Sequence, residues 1–243
     1  MSSLVIGVIG ASGGLGASTL AAALAHRLAR GVGAALLVDG QVDGGGLDVT
    51  AGIEHRPGLR WEDLGDLAGP VDPGPLTASL PEQDGVRVLS AGRGIGPLGR
   101  PPTPETVLEV VRALRAGQPT VLDLPRSTCL RQPMVELADA LVVLVGTHSR
   151  GLADAVALVG GARLPLADPP PLCLVIRSRR SDGDLVDLVG RHLEADGVVH
   201  LADDDRILRA GERGEWPGGR ATALDPALAQ VLDVLDLGEG LFR

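Results

Sequence analysis

VIGVIGASGGLGASTLAAALAHRL, residues 5–28, is the stretch that decides the fold. A short apolar run over residues 4–9 reads as a buried strand. A turn of Gly10, Ala11, Ser12, Gly13, Gly14, Leu15 and Gly16 follows, and then an alanine- and leucine-rich helix from about residue 17 to 29. Strand, glycine loop and helix in that order aim backbone N–H groups and a helix N-terminus at one point, which favours an anion. The glycines let the main chain turn sharply and meet a phosphate with no Cβ in the way. The plainer alternative is a tight strand-to-helix turn with no ligand.

Working outward, short apolar runs bounded by turn residues recur at 35–39, 86–90, 120–124, 140–146, 172–177 and 198–201. Helical spacing lies between them at 103–116, 151–161, 184–193 and 225–237. This alternation predicts an α/β fold, a doubly wound and mostly parallel sheet flanked by helices. Thr103-Pro104-Glu105 and Ser181-Asp182 mark helix starts. Glycine and proline cluster at 69–75, 92–104, 165–171 and 217–219, where they punctuate loops and do not resemble linkers. With no internal repeat, residues 1–243 read as a single domain.

A chain of 243 residues can bury roughly three-quarters of its surface in one large core. Only Trp61, Trp216 and Phe242 are aromatic, so that core must be built from Val, Leu, Ile and Ala. Lysine and tyrosine are both absent, which excludes any reaction that needs either. The net charge of −9 repels phosphate backbones, so strong nucleic-acid binding is not expected. Cys129 and Cys173 have no metal spacing and give no disulfide framework; both read as buried free thiols. No signal peptide or 18-residue apolar run is present, so a cytoplasmic location is expected.

The glycine loop resembles two families. As Gly10-x-x-x-Gly14-x-Gly16 it is similar to the dinucleotide turn of short-chain dehydrogenases. That chemistry needs a Tyr-x-x-x-Lys pair, which this chain cannot supply; a dinucleotide sensor would survive the loss. As Ser12-Gly13-Gly14-Leu15-Gly16-Ala17-Ser18-Thr19 it resembles the deviant P-loop, KGGxGK[ST], of MinD/ParA ATPases. Asp39 suits either, on a ribose hydroxyl or beside a P-loop.

Downstream segments favour the second. Leu36-Leu37-Val38-Asp39-Gly40-Gln41, with Gly44-Gly45-Gly46-Leu47-Asp48, resembles the second-strand motif of CpaE/TadZ-type proteins, MinD/ParA relatives of Tad/Flp pilus clusters. An actinobacterial branch of that group is known as septum-site-determining proteins. Segments 58–64 (GLRWEDL), 88–94 (VLSAGRG), 121–126 (VLDLPR) and 213–220 (RGEWPGGR) are similar to it. The receiver-like N-terminal domain many of these proteins carry is not seen in residues 1–243.

That resemblance implies a nucleotide site at Gly13, Gly14, Leu15, Gly16, Ala17, Ser18, Thr19, Asp39 and Asp123. Ser18 would stand at the Mg²⁺ position and Asp123 at the Walker B position, with ATP or ADP and Mg²⁺ as ligands. It also exposes departures from the family pattern. The first P-loop lysine is Ser12 and the second is Ala17. The aspartate two residues beyond Asp39 is Gln41, and the adenine-reading asparagine aligns with Arg177. A unit charge pair at 4 Å is worth about 4 kcal/mol at an effective dielectric near 20. Losing half of that weakens binding on the order of tens-fold, and phosphoryl transfer suffers more because it relies on cationic stabilisation. Arg27 and Arg30 lie too far down the first helix to compensate.

The expectation is therefore a pseudo-ATPase, non-hydrolysing or very weak, that localises or assembles a Tad/Flp-type pilus, secretion or division apparatus. An arginine-assisted active ATPase is the alternative. The resemblance implies a homodimer and pilus, secretion or division partners. The segment 226–243 carries acidic residues and lacks a basic membrane-gripping face, so recruitment to a membrane complex would be indirect. Structural readings stand beside the functional ones. Ser18 and Thr19 suit a helix start, Asp39 a loop cap, and Asp123 an internal partner for the loop hydroxyls. Asp203-Asp204-Asp205 suits a solvated helix start, His26, His148 and His192 suit surface positions, His55 and His200 give no further signal, and the tryptophans suit core plugs.

Overall fold

The strand ALVVLVG, β6 (Ala140–Gly146), is buried along its whole length, as a strand covered on both faces must be. The computed structural model describes residues 3–65, 67, 69–92, 102–163, 165–218 and 221–237. Beside β6 runs β1 (Val5–Gly10), then β5 (Thr120–Asp123), β2 (Ala35–Asp39), β4 (Val86–Leu89) and the two-residue β3 (Glu82–Gln83); on the other side lie β7 (Leu172–Ser178) and β8 (Gly197–Ala202). Among the described residues only β3 is antiparallel, pairing with β4, and the other pairs are parallel. This is the expected doubly wound sheet.

The helices are α1 (Ala17–Val32), α2 (Leu47–Ala51), α3 (Pro73–Ala78), α4 (Pro104–Leu114), α5 (Thr128–Glu136), α6 (Ser149–Arg163), α7 (Gly183–His192), α8 (Asp205–Glu212) and α9 (Leu224–Val234). Alternate strand residues face opposite sides and divide the interior into two cores. On one face Ile6, Val8, Leu37, Val121, Val142 and Val175 pack under α1 and α9, with Trp216 among them. On the other Val5, Ile9, Leu36, Leu122, Val143 and Leu174 pack under α4, α5 and α6, with Trp61. The alanines at 21, 22, 23 and 25 bury completely or nearly so, letting α1 lie close on the sheet. Both tryptophans are core plugs, one on each face, and each indole N–H finds a backbone carbonyl: Trp61 on Asp39 (2.7 Å) and Trp216 on Ala22 (3.0 Å).

Three expectations need correction. Cys129 is exposed, near the start of α5 with its sulfur 2.9 Å from Ser127 Oγ, whereas Cys173 is buried in β7. His26 is not at the surface, because the Trp216 segment closes over α1 and sets the two rings 6.1 Å apart; burial pushes its pKa down. The aspartate run does start a helix, α8. Asp204 nevertheless caps that helix with a side chain only 9% exposed, accepting from the N–H groups of Arg206 (2.9 Å) and Ala223 (3.0 Å). Arg93, Gly94, Gly219, Arg220, Phe242 and the end of the acidic tail lie outside the described residues.

Candidate functional site

The loop between β1 and α1 opens at the carboxyl edge of the sheet, where parallel α/β folds place ligands. Its first turn is fixed by a hydrogen bond from Ala11 N–H to the Leu144 carbonyl on β6 (2.9 Å). Gly14 and Gly16 sit at φ 77° and 93°, the left-handed region that only glycine enters cheaply. Gly16 is the residue that caps α1, so no side chain covers the helix start, and the first turn holds no acidic residue. The positive end of α1 is left for something outside the chain.

Beside the loop stand two carboxylates. β2 and β5 pair in register with Asp39 opposite Asp123, so both side chains end at the same edge. The chain can bring them together because residue 40 is glycine: a Cβ there would sit 2.6 Å from Pro125 Cδ, and the Gly40 N–H donates to the Asp123 carbonyl at 2.9 Å. Asp39 is 4% exposed and accepts from the N–H groups of Gln41 (2.9 Å) and Leu47 (3.0 Å). Burial raises its pKa to about 6 against the opposition of those bonds. Asp123 rises to about 7, chiefly through burial, with the charge of Asp39 adding and a bond from the Ser18 hydroxyl opposing. Asp39 thus serves as the loop cap and Asp123 as the partner of a loop hydroxyl, as their structural readings require.

This set of hard oxygens fits a Mg²⁺ ion, whose charge would draw both carboxyls back to the ionised state. Ser18, Asp123 and, behind them, Asp39 would hold it. The glycine loop and the bare start of α1 fit phosphate.

A cleft of about 700 Å³ leads away from Gly14, Leu15, Gly16 and Thr19 between α2 and α8. Val49, Ile207 and Leu208 give it apolar walls, the usual character of a pocket for a flat ring. Arg177, at the end of β7, crosses its mouth. Its Nη1 donates to the Leu15 carbonyl (2.8 Å) and its Nε to Asp203 Oδ1 (2.8 Å). The residue aligned with an adenine-reading asparagine thus straps the loop to the end of β8.

The other departures have structural employment too. Ser12 donates to Asp154 Oδ2 on α6 (2.7 Å). The side-chain amide of Gln41 bonds Asp43. Ala17 opens α1 with no polar group. Sequence reasoning missed Asp154, which gave no signal, and Arg126, which lies inside the VLDLPR segment three residues past Asp123. A Cβ on Gly13 would lie 3.0 Å from Arg126 Nη1.

Solved structures supply the decisive comparison. A ParA family ATPase from Chlorobium tepidum TLS superimposes with a TM-score of 0.76 at 14% identity, over 94% of this chain and 97% of its own. The fold is that of the MinD/ParA P-loop ATPases. Within that fold, the septum site-determining protein MinD of Pyrococcus horikoshii OT3, complexed with Mg-ADP, gives a TM-score of 0.74 at 16% identity over 100% and 99% of the two chains. A chain of the MinC:MinD cell division protein complex of Aquifex aeolicus gives 0.65 at 21% identity over 98% and 96%. No family model matches the chain. Two uncharacterized proteins of Mycobacterium tuberculosis, one from each of two strains, are 34% identical over 236 residues. The match takes in 95% of this chain and 63% of each relative, so the chain spans less than two-thirds of their length.

Proposed function

We propose that this MinD/ParA-fold chain binds a nucleotide with Mg²⁺ and turns it over slowly or not at all, acting as a positioning or assembly factor. One observation carries the reading. The anion cradle keeps its open glycine loop, uncapped helix start and Asp39–Asp123 pair, while both lysine positions hold residues without charge, Ser12 and Ala17. Ser12 is bonded to Asp154 and Gln41 to Asp43, so neither is free to attend a terminal phosphate or its attacking water. Binding survives such losses better than phosphoryl transfer does, because transfer depends on positioning and cationic stabilisation of the transition state.

The motif resemblance supports a CpaE/TadZ-like, septum-site-determining assignment, with a role at a Tad/Flp-type pilus, a secretion apparatus or septum placement. A homodimer and partners from such machinery follow from the same resemblance. Calorimetry with Mg·ATP, Mg·ADP and NAD, alongside phosphate release, tests the proposal. Micromolar to millimolar adenine-nucleotide binding with release no faster than from a chain lacking residues 10–16 supports it. Release above that control but slower than about 1 s⁻¹ agrees with the proposal, whereas steady turnover at or above the ordinary enzymatic range of about 1 s⁻¹ refutes it and supports the arginine-assisted ATPase, a reading that the position of Arg126 favours.

A further inference from the structure

With every lysine absent, positive charge near the loop comes from arginines, and among the described residues Arg177 stands by Gly16 and Arg126 by Gly13. Arg177 is committed: a backbone carbonyl and Asp203 already occupy its guanidinium. Arg126 is not. It is exposed on the segment after β5, and among the described residues no hydrogen bond or ion pair holds its guanidinium. Its own carbonyl accepts from Arg131 Nη1 (3.3 Å), a bond that does not involve its guanidinium.

The loop has two unlike ends. The large cleft meets Gly14, Leu15, Gly16 and Thr19. A smaller hollow of about 240 Å³ meets Gly10 and Ala11 at the other end, lined also by Arg126, Arg131 and Asp154. Only the first is roomy enough for a nucleoside. A nucleotide seated there runs its phosphates along the loop toward Gly13, where Arg126 Nη1 waits 3.0 Å from the place of a Cβ. The carboxylate that shares the hollow, Asp154, accepts from Ser12 and does not claim Arg126.

Resting on the nucleotide-binding reading, we propose that Arg126 reads the terminal phosphate, so that the site prefers a nucleoside triphosphate to a diphosphate through a cation supplied from the segment after β5. A guanidinium gives two parallel donors to a phosphate, which suits it to an end group with three free oxygens.

The test is calorimetric affinity for Mg·AMPPNP and Mg·ADP in the full chain, for wild type, Arg126→Ala and Arg126→Lys. Wild type should bind the triphosphate analogue at least tenfold more tightly, with a preference that shrinks as salt rises. Arg126→Ala should lose that preference, with ADP affinity kept within about twofold, and Arg126→Lys should keep part of it. An unchanged thermal midpoint for both variants shows that folding is intact, as the exposure of the residue leads one to expect. Equal weakening of both ligands in Arg126→Ala, an unchanged ratio, or a wild type that does not distinguish the two overturns the role of Arg126 while leaving nucleotide binding standing. Absence of any binding by the wild type overturns both.

Discussion

Replacing Asp123 by asparagine should stabilise the free chain at pH 8 and stabilise it by less than half as much at pH 5. Burial lifts this carboxyl from an ordinary 3.8 to about 7, and the neighbouring Asp39 adds to the lift. At about 1.4 kcal/mol for each pH unit, an ionised Asp123 costs the native state up to about 4 kcal/mol. Water reaching in from the open side of the loop reduces this to about 1–3 kcal/mol. The sign follows from proton linkage. Folding raises the pKa, so the native state holds the proton more tightly than the unfolded chain. The contribution of this group to stability therefore falls as pH climbs from about 4 to about 7, and is flat above that. Asparagine keeps an oxygen for the Ser18 hydroxyl and carries no charge. For a domain of this size, 1–3 kcal/mol is a rise in melting temperature of roughly 3–10 °C. Scanning calorimetry of both forms at pH 5 and pH 8, without nucleotide, reads it directly. A melting temperature at pH 8 equal to or below that of the wild type, or the same increment at both pH values, refutes the account. The same substitution should weaken Mg·nucleotide binding at least tenfold, so stability and ligation pull in opposite directions at this residue.

Arg60→Ala should cost about 2–4 kcal/mol in urea denaturation with the slope unchanged, because Asp48, 4% exposed in its side chain, would lose the guanidinium 2.9 Å away. Adding Asp48→Asn should recover much of that loss, and failure to recover it would refute the charge explanation. Trp216→Phe leaves Trp61 as the one tryptophan in a chain without tyrosine, its indole bonded to the Asp39 carbonyl beside the carboxylate pair. Its emission should change on titration with Mg·ADP, and a flat trace while calorimetry records binding would show that the pair does not feel the ligand.

The sheet and its main helices were legible because their residues obey one period each. Strands at 35–39 and 140–146 match to the residue, since a continuous apolar run bounded by Gly and Asp leaves no room for another reading. The elements that sequence alone did not mark have weak or misleading patterns. α5 carries Pro133 inside it, and α2 has five residues. Each is held by its neighbours and by caps. The loop, Asp39 and Asp123 were legible from motif spacing. Their environment was not, because the pairing of Asp39 with Asp123 depends on a strand order in which β5 inserts between β1 and β2. Arg126 and Asp154 were missed for the same reason. Arg27 and Arg30 drew notice by lying near the loop in sequence, whereas the arginine beside Gly13 is more than a hundred positions away.

The double tie of Arg177, to the Leu15 carbonyl and to Asp203, has a kinetic corollary. A loop already strapped to the far edge of the sheet gives up little freedom when a ligand arrives, since its ordering was settled as the chain folded. Capture should then proceed in a single fast step without a slow rearrangement afterwards, and the phosphate loop itself would make a poor switch. Any signal that distinguishes loaded from empty must be generated at a loosely held group, and the exposed guanidinium after β5 is the nearest one to hand.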